Sequence, residues 1–397
     1  MMKGFDFLVV GAGIFGITTA IELRKRGHEV AVLNPDQIPH PLAASTDISK
    51  IVRMEYGTDR EYMDMAAACM PVWRDWNDFF GETLFHEVGF VLLSAASLDD
   101  PSGGFEAASY RSLLEKGFRP ERMDPMQIAG RFPAFDTSAY ADGFYHAVGG
   151  FAESGRVVEA LTGYARQLGV SVFERQTAEK LVVVNSRLRA VETREGERFG
   201  TGHAVVCAGN HTPYLVPDLM PVMKVTGHPV FHLKPSRPEL FAHPGFAVFA
   251  ADISNTGWYG FSLHPKAGVV KIANHGEGLE LHPDRDERVV YPSDEAHLRR
   301  FLRASIPALA DDPIVYTRRC CYTDTLDGHF WIDNHPEIGG LTIGSGGSGH
   351  GFKMGPVIGD MIATTAEGGV HRWSERYRWR ELKTGVAQQE EARFKLK

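Results

Sequence analysis

The chain has 397 residues, 43% of them apolar and 23% charged, and carries a formal net charge of −8. That length exceeds one ordinary core and predicts two domains, and the composition is that of a packed globular protein rather than a disordered or fibrous one. Basic residues are scattered, which argues against nucleic acid as a partner. The four cysteines, Cys69, Cys207, Cys320 and Cys321, show neither metal-type spacing nor a disulfide framework, which fits a reducing compartment.

Residues 5–23 are apolar, but they carry Asp6 and spaced glycines and no small-residue cleavage site, so they do not read as a secretory signal. No other stretch approaches the roughly 18 apolar residues that a membrane helix needs. A cytoplasmic protein with no membrane partner is expected. Phe5–Val10 reads as a strand buried on both faces. Gly11-Ala12-Gly13-Ile14-Phe15-Gly16 follows at once, then a helical pattern through Ile17, Ala20, Ile21 and Leu23, a stop at Gly27, and a second strand over 29–33. This is the order of a dinucleotide-binding βαβ unit. Its glycines serve a tight turn, close approach to a pyrophosphate, and close helix–strand packing. Asn34 stands where such units usually place Asp or Glu against the ribose, with Asp36 close enough to substitute.

Residues 62–80 read as a helix with Cys69 in its core-facing stripe, and 99–104 as a surface loop before a helix over 109–116. A third helix over 154–169 precedes strands at 170–173, 181–184, 187–193 and 204–207, the last breaking at Gly209. Cys207 on that strand reads as core. From 225 to 275 short alternating strands predict an antiparallel sheet that would form the substrate domain. In its clearest hairpin, 258–263 and 269–275 flank a turn over 264–268. The return strand sets Lys271, Ala273 and His275 on one face. On the residues alone, that face is a solvated edge.

Residues 341–343 form an apolar strand that runs into Gly344-Ser345-Gly346-Gly347-Ser348-Gly349-His350-Gly351-Phe352-Lys353 and then a helix starting near Pro356. Such glycines let backbone approach a ligand, and the helix start suits the electron-rich edge of a reduced flavin. Upstream, Cys320 and Cys321 are adjacent. By themselves both read as small core residues, with a nucleophilic role for one as the alternative.

Taken together the chain resembles, end to end, the FAD-dependent amine oxidases typified by monomeric sarcosine oxidase, N-methyltryptophan oxidase and fructosyl amino acid oxidases, of the D-amino acid oxidase-like superfamily. The most specific carriers are Cys320-x-Tyr322-Thr323 with Asp333-x-His335-Pro336, and Ser348-Gly349-His350-Gly351-Phe352-Lys353. The resemblance implies a two-domain α/β (α+β) fold. A Rossmann-like FAD-binding domain would be assembled from 1–85, 148–219 and 328–397, and a mainly antiparallel substrate domain from 86–147 and 220–327. It implies FAD held by Gly11, Gly13, Ile14, Phe15, Gly16, Asn34, Ser45, Lys50, Gly209, Gly347, Gly349, Gly351, Phe352 and Lys353, and covalently by Cys320, with Cys321 a neighbour. Arg53 and Lys353 would take the substrate carboxylate, as bidentate and compact cations suit. Tyr56, Tyr259 and Tyr322 would line the pocket. Lys271 would promote reaction with O2, with His275 beside the substrate. The implied activity is oxidation of the secondary amine of an N-substituted amino acid to an imine, hydrolysed to amine and carbonyl, with O2 reduced to H2O2. No general base is assigned. The extra cations Lys50, Arg318, Arg319 and His275 suggest a dicarboxylate such as iminodiacetate. The alternatives are a dehydrogenase that uses an electron carrier and a non-enzymatic flavin sensor. A monomer or homo-oligomer fits equally.

Overall fold

In the computed structural model, which describes residues 4–100, 104–382 and 390–394, the strand Phe5–Val10 lies at the centre of an eight-stranded sheet. It pairs in parallel with Val30–Asn34 on one side and Arg198–Val206 on the other. Five of its six residues are buried, which is why it reads as a continuous apolar run. Helix Ile14–Lys25 makes the crossover. Ser171–Glu174 extends the sheet beyond Val30–Asn34, and Leu341–Ser345 adds in parallel beside Arg198–Val206. The glycine turn, the break at Gly209 and the glycine-rich segment after Ser345 thus follow the carboxyl ends of neighbouring parallel strands, where ligands of such sheets bind. Helix Gly355–Ala366 packs on Ile14–Lys25, and Gly355 and Gly359 permit the approach. A Cβ on Gly355 would lie 2.5 Å from Ile14, and one on Gly359 would lie 2.6 Å from the Thr18 backbone.

The second sheet has nine strands and is mainly antiparallel, with one parallel pairing, Val248–Ala251 on Phe90–Ser94. Its longest ladder joins Met223–Leu233 to Ile314–Thr325 and sets His228 opposite Cys320. The expected hairpin is present: Trp258–Gly260 pairs with Val270–Asn274, and the turn closes with the His264 amide on the Val269 carbonyl at 2.9 Å. The first strand is shorter than predicted because the Leu263 amide leaves the ladder to bond the Phe241 carbonyl. A small third sheet joins Lys50–Val52, Phe85–His86 and Gly150–Ala152.

Two expectations need correction. The face carrying Lys271, Ala273 and His275 is no solvated edge: Val270–Asn274 is flanked by Met223–Leu233 and Trp258–Gly260, and all three residues are buried. The helix expected over 109–116 runs Gly104–Glu115, and residues 101–103 of the predicted loop lie outside the described residues. Helix Arg60–Phe80 starts where Asp59 accepts the Tyr62 amide at 3.1 Å. Cys69 and Cys207 are core residues, as expected. Among the described residues no helix is long and apolar enough to cross a membrane, and no cluster of His, Cys, Asp or Glu is arranged to hold a metal ion.

Candidate active site

The glycine turn separates structural from ligand-facing roles. Gly11 has φ +101°, and a Cβ there would lie 2.4 Å from the Cys207 carbonyl oxygen. One on Gly16 would lie 1.9 Å from the Gly11 oxygen. Both positions exclude a side chain because backbone crowds them. A Cβ on Gly13 would meet only the Ser45 side chain, at 3.1 Å, so space rather than backbone lies on its open side. Ser45 Oγ accepts the Ile14 amide at 3.0 Å, which ties the helix start to the segment that follows the second strand. Asn34 differs from the expectation that it reaches the ribose. Its oxygen accepts the Ala12 amide at 3.2 Å and its nitrogen donates to the Asp36 and Gln37 carbonyls at 2.8 and 3.2 Å, so its amide shapes the turn. Asp36 Oδ1 accepts the Gln37 amide at 2.8 Å, and this half-buried carboxylate is the better candidate for a ribose.

The glycine-rich segment after Ser345 closes on the same place. Phe15 sits against Gly347 and Gly351, and a Cβ on Gly351 would lie 2.8 Å from its ring. Gly349, with φ +79°, would bring a Cβ within 2.5 Å of the Tyr322 ring and 3.1 Å of His275. Phe352 stacks on Trp73 with ring centroids 5.9 Å apart, and Trp73 Nε1 donates to the Lys353 carbonyl at 2.9 Å.

Alternation along Ile314–Thr325 separates the two cysteines. Cys320 and Tyr322 cluster with Ala273, Val230 and Tyr259, whereas Cys321 packs with Val225 and Leu281 on the other face. Burial would raise the Cys320 thiol, but the Lys50 ammonium, 3.8 Å from Sγ, and the Arg318 guanidinium, 3.4 Å away, outweigh it and bring the pKa down to about 7. Burial raises Cys321 instead. Of the two, Cys320 is poised as a thiolate. Lys271 is buried on the same face. Burial lowers its pKa to about 8, against the pull of Asp47. Its Nζ donates to Asp47 Oδ2 at 2.7 Å and to the Ser49 carbonyl at 2.6 Å, which leaves one N–H.

The carboxylate candidates meet across one ring. Arg53 and Lys353 lie over Tyr56, 5.1 and 5.0 Å from its centroid. Lys353 Nζ donates to Tyr56 Oη and the His350 carbonyl, both at 2.9 Å, and keeps its third N–H. Burial, reinforced by Arg53, lowers Lys353 to about 7. Arg53 bonds Glu390 through Nη2 at 2.9 Å, while its buried Nη1 has no hydrogen-bond partner among the described residues. His275 lies at the other oxygen of Glu390, with Nε2 3.1 Å from Oε2. Burial lowers its pKa, so we read it as a neutral imidazole donating to the carboxylate. Tyr322 stacks on His228 at 4.1 Å, and Tyr259 packs beside it.

The buried atoms Thr46 Oγ1, Ser49 Oγ and Arg53 Nη1, without a hydrogen-bond partner among the described residues, lie along one segment that leads from the glycine turn to the carboxylate candidates. With the crowded glycines and the open side of Gly13, this set fits a bound FAD. A model of the FAD-dependent oxidoreductase family matches residues 6–365. The chain belongs to that family. It is 28% identical to monomeric sarcosine oxidase of Bacillus sp. over 93% of this chain and 94% of the relative. It is 29% identical to L-saccharopine oxidase of Schizosaccharomyces pombe, over 94% and 93%. The solved fructosamine oxidase Amadoriase II of Aspergillus fumigatus superposes with a TM-score of 0.83 at 22% identity, over 100% of this chain and 94% of that one, a likeness of fold. Within the family this oxidoreductase is thus related to sarcosine and saccharopine oxidases, and it shares its fold with amadoriases.

Three features escaped the sequence reading. Asp47, the partner of Lys271, lies in the 45–53 segment but matches no motif. Glu390 sits in a polar stretch that resembles a solvated tail. Asp324 and Arg393 pair bidentately at 2.8 and 2.9 Å, both buried, from positions 69 residues apart.

Proposed function

We propose that this oxidoreductase oxidises the secondary amine of an N-substituted amino acid and delivers the electrons to O2. The carrying observation is the uncommitted Nη1 of buried Arg53 and third N–H of Lys353 around one tyrosine ring, linked through Glu390, His275 and Tyr322 to the cluster holding Cys320 and Ala273. Bound FAD supplies the two-electron acceptor. The chain's own groups bind and orient: Arg53 and Lys353 take the substrate carboxylate, Tyr56 spaces them, and neutral His275 and the three tyrosines exclude water. Apart from Asn34, whose amide is engaged in the turn, the positions named for the cofactor, with Cys320 as its covalent attachment, remain part of this proposal, as does the division into 1–85, 148–219 and 328–397 against 86–147 and 220–327.

The cations that suggested a second carboxylate are engaged elsewhere. Arg319 bonds Asp294 and the Val289 carbonyl, Arg318 the Pro41 and Ala43 carbonyls and Cys320, Lys50 lies at Cys320, and His275 at Glu390. A sarcosine-like monocarboxylate is therefore placed ahead of iminodiacetate. Transfer of electrons to a carrier is the second reading, and one observation favours it: Asp47 at 2.7 Å offsets the Lys271 charge that would stabilise a reduced-oxygen anion. Peroxide release from a panel of N-substituted amino acids tests both. Substrate that bleaches the flavin without peroxide selects the carrier reading, and no bleaching by any member refutes amine oxidation. Acid precipitation should leave yellow colour with the pellet, lost in Cys320→Ala and kept in Cys321→Ala.

A further inference from the structure

The segment Glu390–Phe394 is built into the site. Buried Arg393 is held bidentately by buried Asp324 and lies over the Tyr322 ring at 5.8 Å. Asp324 is in turn bonded by Thr226, whose hydroxyl meets His228 at 3.0 Å beneath Tyr322. The Phe394 amide donates to the His275 carbonyl at 3.0 Å, and Glu391 accepts the Thr58 amide at 3.1 Å. So anchored, the segment delivers the Glu390 carboxylate, with a side chain only 7% exposed, onto Arg53 and His275.

We infer that Glu390 sets the charge preference of the substrate site, which takes an amino acid with one carboxylate and a cationic group on its nitrogen substituent. The inference rests on the reading of Arg53 and Lys353 as the carboxylate site. The count takes the charged groups that face Glu390 among the described residues. Arg53 and Lys353 are the cations. His275 and His350 are neutral, since burial lowers both. Arg393 is balanced by Asp324, and Glu55 is turned to His146 at 2.8 Å and the Met54 amide at 3.0 Å. With Lys353 at a pKa of about 7, Arg53 and Lys353 carry between one and two positive charges against Glu390, so a single substrate carboxylate brings the site to between zero and one net negative charge. A second carboxylate would be buried without a partner, which is costly. A cation would find one, because among the described residues each oxygen of Glu390 holds one side-chain donor and has a lone pair left. Burial opposes ionisation of Glu390, but the hydrogen bond from His275 and the Arg53 guanidinium hold its carboxyl well below the usual carboxylate range, so it serves as a fixed charge rather than a base.

The test compares three substrates on the holoenzyme: N-(2-aminoethyl)glycine, its near-isostere N-propylglycine, and iminodiacetate. The wild type should favour the aminoethyl over the propyl compound about tenfold or more in kcat/KM, as suits a charge-assisted contact, with iminodiacetate last. Glu390→Gln should abolish the first preference and raise iminodiacetate, while Glu390→Asp keeps the wild-type order. The corresponding thioether acetates, in which sulfur replaces the amine, give the same comparison as binding, read by perturbation of the flavin spectrum. If they bind in the expected order but no amine is oxidised, the charge preference stands and the proposed reaction falls. A uniform gain for all ligands in Glu390→Gln would mean that Glu390 merely competes with the substrate for Arg53, and would overturn the inference. Unchanged preferences in the variant, or no binding by any thioether acetate, would overturn it as well.

Discussion

Replacing Lys50 by methionine should slow attachment of FAD to Cys320 at pH 7 and accelerate it at pH 9. The ammonium lies 3.8 Å from Sγ. At an effective dielectric of about 20, that separation is worth about 4 kcal/mol, or about 3 pKa units. Lys50 is partly solvated, so the loss should lie between about 1.5 and 3 units, which moves the thiol from about 7 to about 8.5 or above. At pH 7 the thiolate fraction then drops from about half to a few per cent or less, while the thiolate that remains is the stronger nucleophile, with a Brønsted slope of about 0.4–0.5. The product of the two effects is an attachment rate about four- to twentyfold lower at pH 7 and about two- to fourfold higher at pH 9. The assay follows flavin fluorescence in denaturing gels after apoprotein meets saturating FAD in air, at several pH values. The pH profiles of wild type and variant should cross. A slowing by the same factor at every pH would show that Lys50 acts through cofactor binding, and would refute the electrostatic account.

Lys271→Met should slow reoxidation of the reduced flavin by O2 about a hundredfold or more, as for loss of one preorganised charge, with reduction by substrate changed only a few-fold; stopped-flow absorbance separates the two half-reactions. Lys353 is a cation only below a pKa that burial brings to about 7, so affinity for a non-oxidisable carboxylate such as (methylthio)acetate should be flat below about pH 7 and weaken above it by up to tenfold per unit. Lys353→Met should bind more weakly and without that pH dependence. Arg393→Met leaves Asp324 buried and unpaired and should cost about 3–5 kcal/mol of stability in chemical denaturation, most of it recovered by Asp324→Leu in the same chain; equal stability of the single and double variants would show that the pair is not coupled.

Local pattern carried the nucleotide half of this protein. Gly11, Gly13 and Gly16 were legible because their spacing falls in one turn between a buried strand and the helix that leads to the next, although the carbonyl that crowds Gly11 belongs to distant Cys207. The strand face of Lys271, Ala273 and His275 was legible as a face, since alternation is a local property, but whether it met water depended on strands at 223–233 and 258–260 that only the sheet brings alongside. Cys320 could be told from Cys321 once neighbouring strands gave each side of Ile314–Thr325 its environment. The charges that decide the chemistry were the least legible. Asp47 on Lys271 spans 224 residues, Arg53 on Glu390 spans 337, and Arg393 on Asp324 spans 69. Sequence by itself determined which residue types and turns the chain could offer, because propensity, periodicity and glycine geometry act over a few residues. Only the tertiary structure decided which charges are paired, because Coulomb energy and desolvation depend on distance through space.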